Sequence, residues 1–136
     1  MSRSRWSFLV LVAPAILSLT ACGRLFPPPP PEGEPVELSL SQAAVTWTDK
    51  WGGTLDLKPD GTYTADRACS YDARESGSGT WSRERADERG GPWITVEHEN
   101  VFTDYEVLRN GGTLKLWLWI GDPDDGDLCV LTAPAR

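Results

Sequence analysis

The sequence predicts an all-β domain: a small antiparallel up-and-down β-barrel, or a strongly curled meander, of about eight strands. Three observations predict it. From about Leu38 onward, polar and apolar residues alternate in short runs rather than at helical spacing. Clusters of Gly, Pro, Asp and Asn separate the runs, and these residues favour tight turns. No long helical pattern interrupts them, so sequence neighbours are expected to pair. A sheet of that many strands tends to close, which removes its exposed edges.

Taken in order, Ser39 to Ala44 reads as a brief helical turn and Val45-Thr46-Trp47-Thr48 as a strand. Gly52-Gly53 breaks the chain, and Thr54 to Lys58 alternates with a period of two. Lys58-Pro59-Asp60-Gly61 is a strong turn signal, because proline pre-sets its second position and glycine accepts the left-handed conformation. Thr62 to Ala65 returns, with Tyr63 and Ala65 on one face. Cys69 to Gly79 reads as a polar loop, Thr80-Trp81-Ser82 as a short strand and Arg83 to Gly91 as a charged loop. Trp93 to His98 alternates again, and Phe102 to Leu108 is a further strand. Asn110-Gly111-Gly112 turns the chain into Thr113 to Ile120, the strongest strand pattern. There Leu114, Leu116, Leu118 and Ile120 share one face, while Lys115, Trp117 and Trp119 share the other. Asp122 to Asp127 forms an acidic turn, and Leu128 to Thr132 closes the domain.

Several of these turns carry a resemblance. Gly53-Thr54-Leu55, Lys58 to Tyr63, Gly77-Ser78-Gly79-Thr80-Trp81 and Gly121-Asp122-Pro123-Asp124 resemble small lipocalin-like lipoproteins of high-GC Gram-positive bacteria. The resemblance implies the barrel fold and brings no catalytic residues.

The N-terminus points the same way. Arg3 and Arg5 form a basic n-region, Phe8 to Leu17 is apolar, and Leu19-Thr20-Ala21-Cys22 resembles a bacterial lipobox. The apolar stretch is short of the roughly 20 residues a spanning helix takes, and Pro14 interrupts it. The expected organisation is a signal peptide over 1–21, a lipidated N-terminus and Pro-rich tether over 22–37, and a β-barrel over 38–136. Diacylglyceryl and palmitate-type acyl chains on Cys22 would hold the protein on the extracytoplasmic face of the cell membrane, each buried methylene contributing roughly 0.8 kcal/mol. Pro27 to Pro31 favours polyproline II, a semi-rigid spacer, although such runs are also ligands for aromatic grooves.

Cleavage after Ala21 would remove Arg3 and Arg5 and take the formal net charge from −7 to −9. A chain this acidic is ill suited to nucleic acid or an anionic surface. If Cys22 carries lipid, Cys69 and Cys129 remain as an even pair in a compartment where disulfides persist. The alternative is two buried free thiols. His98 is the single histidine, no Gly-x-Ser-x-Gly elbow is present, and neither cysteine has partners for a hydrolytic or metal constellation. The acidic turn lacks the carboxylate an EF-hand needs at its twelfth position, where Ala133 stands. No enzyme activity, cofactor or metal is expected.

The mature chain holds Trp47, Trp51, Trp81, Trp93, Trp117 and Trp119, many for its length. Core packing accounts for most, while Trp117 and Trp119 stand opposite the leucines. Two roles follow. Either the barrel binds a small apolar ligand or an envelope partner, or it is a solid interaction module that uses surface tryptophans and has no ligand cavity.

Overall fold

A computed structural model describes residues 28–69, 76–124 and 127–135. The segment read as a signal peptide and Cys22 lie outside the described residues. The chain runs through β1 (Glu34–Pro35), α1 (Leu40–Ala43), β2 (Thr46–Thr48), β3 (Thr54–Leu57), β4 (Thr62–Asp66) and β5 (Ser76–Glu84). It continues through β6 (Trp93–His98), β7 (Val101–Asn110), β8 (Thr113–Ile120) and β9 (Asp127–Thr132).

From β2 to β9 each strand pairs antiparallel with its sequence neighbour, and β9 returns to β2 through Thr48 and Thr132. The result is a closed up-and-down barrel of eight strands, the predicted fold. A ninth strand, β1, lies against β7 outside the closed set, with Glu34 opposite Arg109 and Pro35 opposite Leu108. The Val36 N–H also donates to the Val107 carbonyl at 3.3 Å, so the segment read as tether is engaged with the barrel from Glu34 onward.

Turn chemistry sets the register. In the β3–β4 turn Gly61 has φ +84°, and Asp60 Oδ1 accepts from the Thr62 N–H at 2.9 Å and its hydroxyl at 2.6 Å. The β6–β7 turn places Glu99 and Asn100 at φ +49° and +66°, the paired positive angles that suit the twist of a two-residue hairpin.

One sequence reading is corrected. Ser76 to Gly79 is strand, not loop, and β5 extends on to Glu84. Gly77 and Gly79 occupy the inward positions that alternate with Trp81. A Cβ at Gly79 would collide with the Glu97 carbonyl oxygen and come within 3.0 Å of the Tyr63 ring. The period-two pattern is present, but its inward members have no side chains to reveal it.

The interior is filled. Trp47, Leu55, Leu57, Tyr63, Trp81, Ile94, Val96, Tyr105, Val107, Leu116 and Leu131 form one buried cluster, with Leu114, Leu118 and Ile120 packed against it. The leucine face of β8 therefore points inward. At one end Leu38 and Ala43 close the barrel, with α1 started by a capping box between Ser39 and Gln42. Three side-chain donors pin that end to backbone carbonyls. Trp47 Nε1 donates to Ala43 at 3.0 Å, Trp81 Nε1 to Lys58 at 2.8 Å and Arg83 Nη1 to Leu38 at 2.8 Å.

At the opposite end Cys69 and Cys129 form a disulfide, with Cα atoms 5.1 Å apart. Asp49, buried at 6% exposure, organises the same end. Its Oδ1 accepts from the Trp51 and Gly53 N–H groups, both at 2.8 Å, and its Oδ2 from the Cys69 N–H at 3.0 Å.

Candidate binding face

The strand registers assemble an aromatic row on the outer wall. Trp93 on β6 stands opposite Glu106 on β7, Glu106 opposite Trp117 on β8, and Trp117 opposite Val130 on β9. Alternation points all four away from the interior. Trp119 adds to the row, its ring centroid 6.1 Å from that of Trp117 at an interplanar angle of 78°, an edge-to-face contact. At the other end the Arg89 guanidinium lies 5.2 Å above the Trp93 ring and is held by Asp87 at 2.8 Å.

This wall is less open than sequence alternation implies. Trp117 is only 7% exposed and its neighbour Leu108 only 6%, while Trp93, Trp119 and Val130 are half-buried. Trp117 Nε1 is buried and has no hydrogen-bond partner among the described residues. Partial burial pushes the Glu106 carboxyl above the usual range, so its proton is held more tightly than on a free surface. Chemically the wall offers flat apolar area, the indole N–H donors of Trp93, Trp117 and Trp119, and the Glu106 carboxyl. Those groups suit recognition.

The other candidates lie apart. His98, half exposed, stands at the barrel end, where its Nδ1 donates to the Ser78 carbonyl at 2.6 Å. In the acidic turn Asp122 Oδ1 accepts from the Asp124 N–H at 2.9 Å, a local turn bond, and residues 125 and 126 lie outside the described residues. Clefts of about 190 Å³ beside Arg83 and Trp93, and of about 400 Å³ beside Leu114 and Ala133, lie on the surface. Neither is lined by Leu55, Tyr63, Tyr105 or Leu116.

Sequence reasoning singled out Trp117 and Trp119 but not Trp93, Glu106 or Leu108. The signal for them was present. A two-residue turn at Glu99-Asn100 fixes the β6–β7 register, and counting back from it sets Trp93 against Glu106. Asp49 was also passed over, although Asp49-Lys50-Trp51-Gly52-Gly53 has the composition of a side-chain-capped turn. Comparison with protein-family models, with curated proteins and with solved structures gives no match.

Proposed function

We propose that this chain is a lipid-anchored, non-enzymatic protein of the extracytoplasmic face of the cell membrane. On this reading it is a solid β-barrel that engages an envelope partner through its outer wall. The observation that carries the interaction role is the filled interior. Trp47, Tyr63, Trp81 and Tyr105 pack with Leu55 and Leu116 inside the barrel. That packing favours the outer surface over an internal site for a small apolar ligand. The aromatic row of Trp93, Trp117 and Trp119 supplies the surface, and aromatic residues are the ones most enriched where proteins bind one another.

The anchor rests on Leu19-Thr20-Ala21-Cys22 and on cysteine accounting. Cys69 and Cys129 are bonded to each other, which leaves Cys22 for acyl chemistry. The similarity of the turn motifs to small lipocalin-like lipoproteins fits the same reading.

Site-specific photo-cross-linking in intact cells tests the role. A photoreactive side chain at Trp119 is expected to trap a discrete envelope partner, and one at Thr64, exposed on the outer face of β4, to trap none. Saturable binding of an apolar ligand that quenches Trp47 and Trp81, with no adduct at Trp119, would overturn it in favour of a ligand carrier.

A further inference from the structure

Leu108 and Trp117 point outward from a barrel wall and are nevertheless more than nine-tenths buried. They are diagonal neighbours, since Leu108 pairs with Lys115 two residues before Trp117. Such neighbours lie roughly 7–8 Å apart. The backbone next to β1 approaches the first of them, Leu108. A Cβ at Gly33, at φ +152°, would stand 2.9 Å from the Arg109 carbonyl oxygen and 3.2 Å from the Leu108 Cβ, so the chain entering β1 passes against β7 at Leu108. Upstream of it, Pro28 and Pro31 are half-buried while Pro29 and Pro30 are exposed. A three-residue period of burial is what a polyproline II helix shows when it lies along a surface on one edge.

We propose that the outer wall at Leu108, Trp117 and Trp119 is a polyproline-docking face, and that its occupant is this chain's own Pro28–Pro31 run. The chemistry matches on both sides. Proline rings present rigid apolar edges to indole faces, and a polyproline helix loses little conformational freedom on docking. The match is one of apolar surface: Trp117 Nε1 has no hydrogen-bond partner among the described residues, which include Pro28 to Pro31.

Docking rests on the fold alone; its consequence for the membrane rests on the anchor proposed above. With the arm docked, only residues 23–27 separate Cys22 from the barrel wall, at most about 18 Å of extended chain. With the arm released up to β1, residues 23–33 span at most about 40 Å. The arm thus selects between a barrel held close to the bilayer and one held away from it, and its release uncovers Trp117.

The test uses the full-length chain in detergent micelles with nitrogen-15 in the indole rings. Exchange of the Trp117 indole proton is followed by NMR, with Trp47, bonded to Ala43, as the internal control. The double variant P28S/P31S is expected to speed Trp117 exchange about tenfold and leave Trp47 unchanged. P29S/P30S should alter neither. Trp117 exchange as slow in P28S/P31S as in the parent chain would overturn the proposal. If both indoles accelerate, the variant has opened globally and a nitroxide on Pro29→Cys decides. Broadening of Trp117 and Trp119 well beyond that of Trp51 is the expected result, and equal broadening of all three refutes docking. Neither measurement depends on lipidation, so loss of the anchor and loss of docking are read separately.

Discussion

Trp47 donates its indole N–H to the Ala43 carbonyl at 3.0 Å, and both residues are completely buried. Trp117 is nearly as buried, yet its indole N–H has no partner among the described residues. The same substitution should therefore act differently at the two sites. Trp47→Phe removes a satisfied hydrogen bond and leaves a void, and is expected to cost about 2–3 kcal/mol. Trp117→Phe removes an unsatisfied donor and is expected to stay within about 1 kcal/mol of neutral. Urea midpoints of the two variants check the contrast.

The disulfide joins residues 60 apart in sequence, linking the chain after β4 to β9. A loop of that length is worth about 4 kcal/mol in the chain-entropy account. Reduction, or Cys69→Ser with Cys129→Ala, is expected to lower the urea midpoint accordingly. A midpoint that does not respond to reductant would show that the bridge contributes nothing to stability.

Asp49 accepts three backbone N–H bonds from a buried position. Asp49→Ala strands those donors and is expected to cost about 2–4 kcal/mol. Asp49→Asn should recover part of the loss, because its oxygen can still serve Trp51 and Gly53 while its amide faces the Cys69 N–H. Thermal melts of both variants give the ranking.

Burial gives Tyr63, Tyr105 and Glu106 a pH signature with the same sign in the folded protein. Burial first, and the neighbouring Tyr63 second, push the Tyr105 phenol up to about 12 from its ordinary 10.0. The folded state holds that proton more tightly than the unfolded chain, so stability falls as pH rises from 10 toward 12. Tyr105→Phe is expected to reduce this alkaline decline, to which Tyr63, also raised by burial, adds. Burial likewise raises Glu106 from 4.5, so its penalty develops as pH rises above that value, and Glu106→Gln should remove it. Asp60 and Asp87 are lowered by hydrogen bonds from Thr62 and Arg89 and act oppositely, their contribution fading as pH falls below 3.8. Denaturation midpoints across the pH range separate the three windows.

Most of the fold is legible in the sequence because alternation and turn residues are local signals. Thr113 to Ile120 announces both its strand and its two faces, and Lys58-Pro59-Asp60-Gly61 announces its turn. Alternation alone leaves open which face of β8 is inward, and closure against Tyr105, Val107 and Leu131 decides it. Gly77 and Gly79 hide the start of β5, because a close backbone approach selects for the missing side chain. The burial of Trp117 was not legible at all. It arises from tertiary contact on a wall whose own alternation reads as exposed, and no short-range pattern encodes that. For the same reason the pairing of Glu34 and Pro35 with β7 is invisible within a run of prolines and acids.

Metabolic labelling with an alkyne fatty acid tests the central claim, an acyl anchor at Cys22, most directly. The mature protein is expected to carry the label in the membrane fraction, and Cys22→Ala to lose both label and membrane association. A Cys22→Ala chain that still carries the label, or a parent chain that never acquires it, would contradict the account.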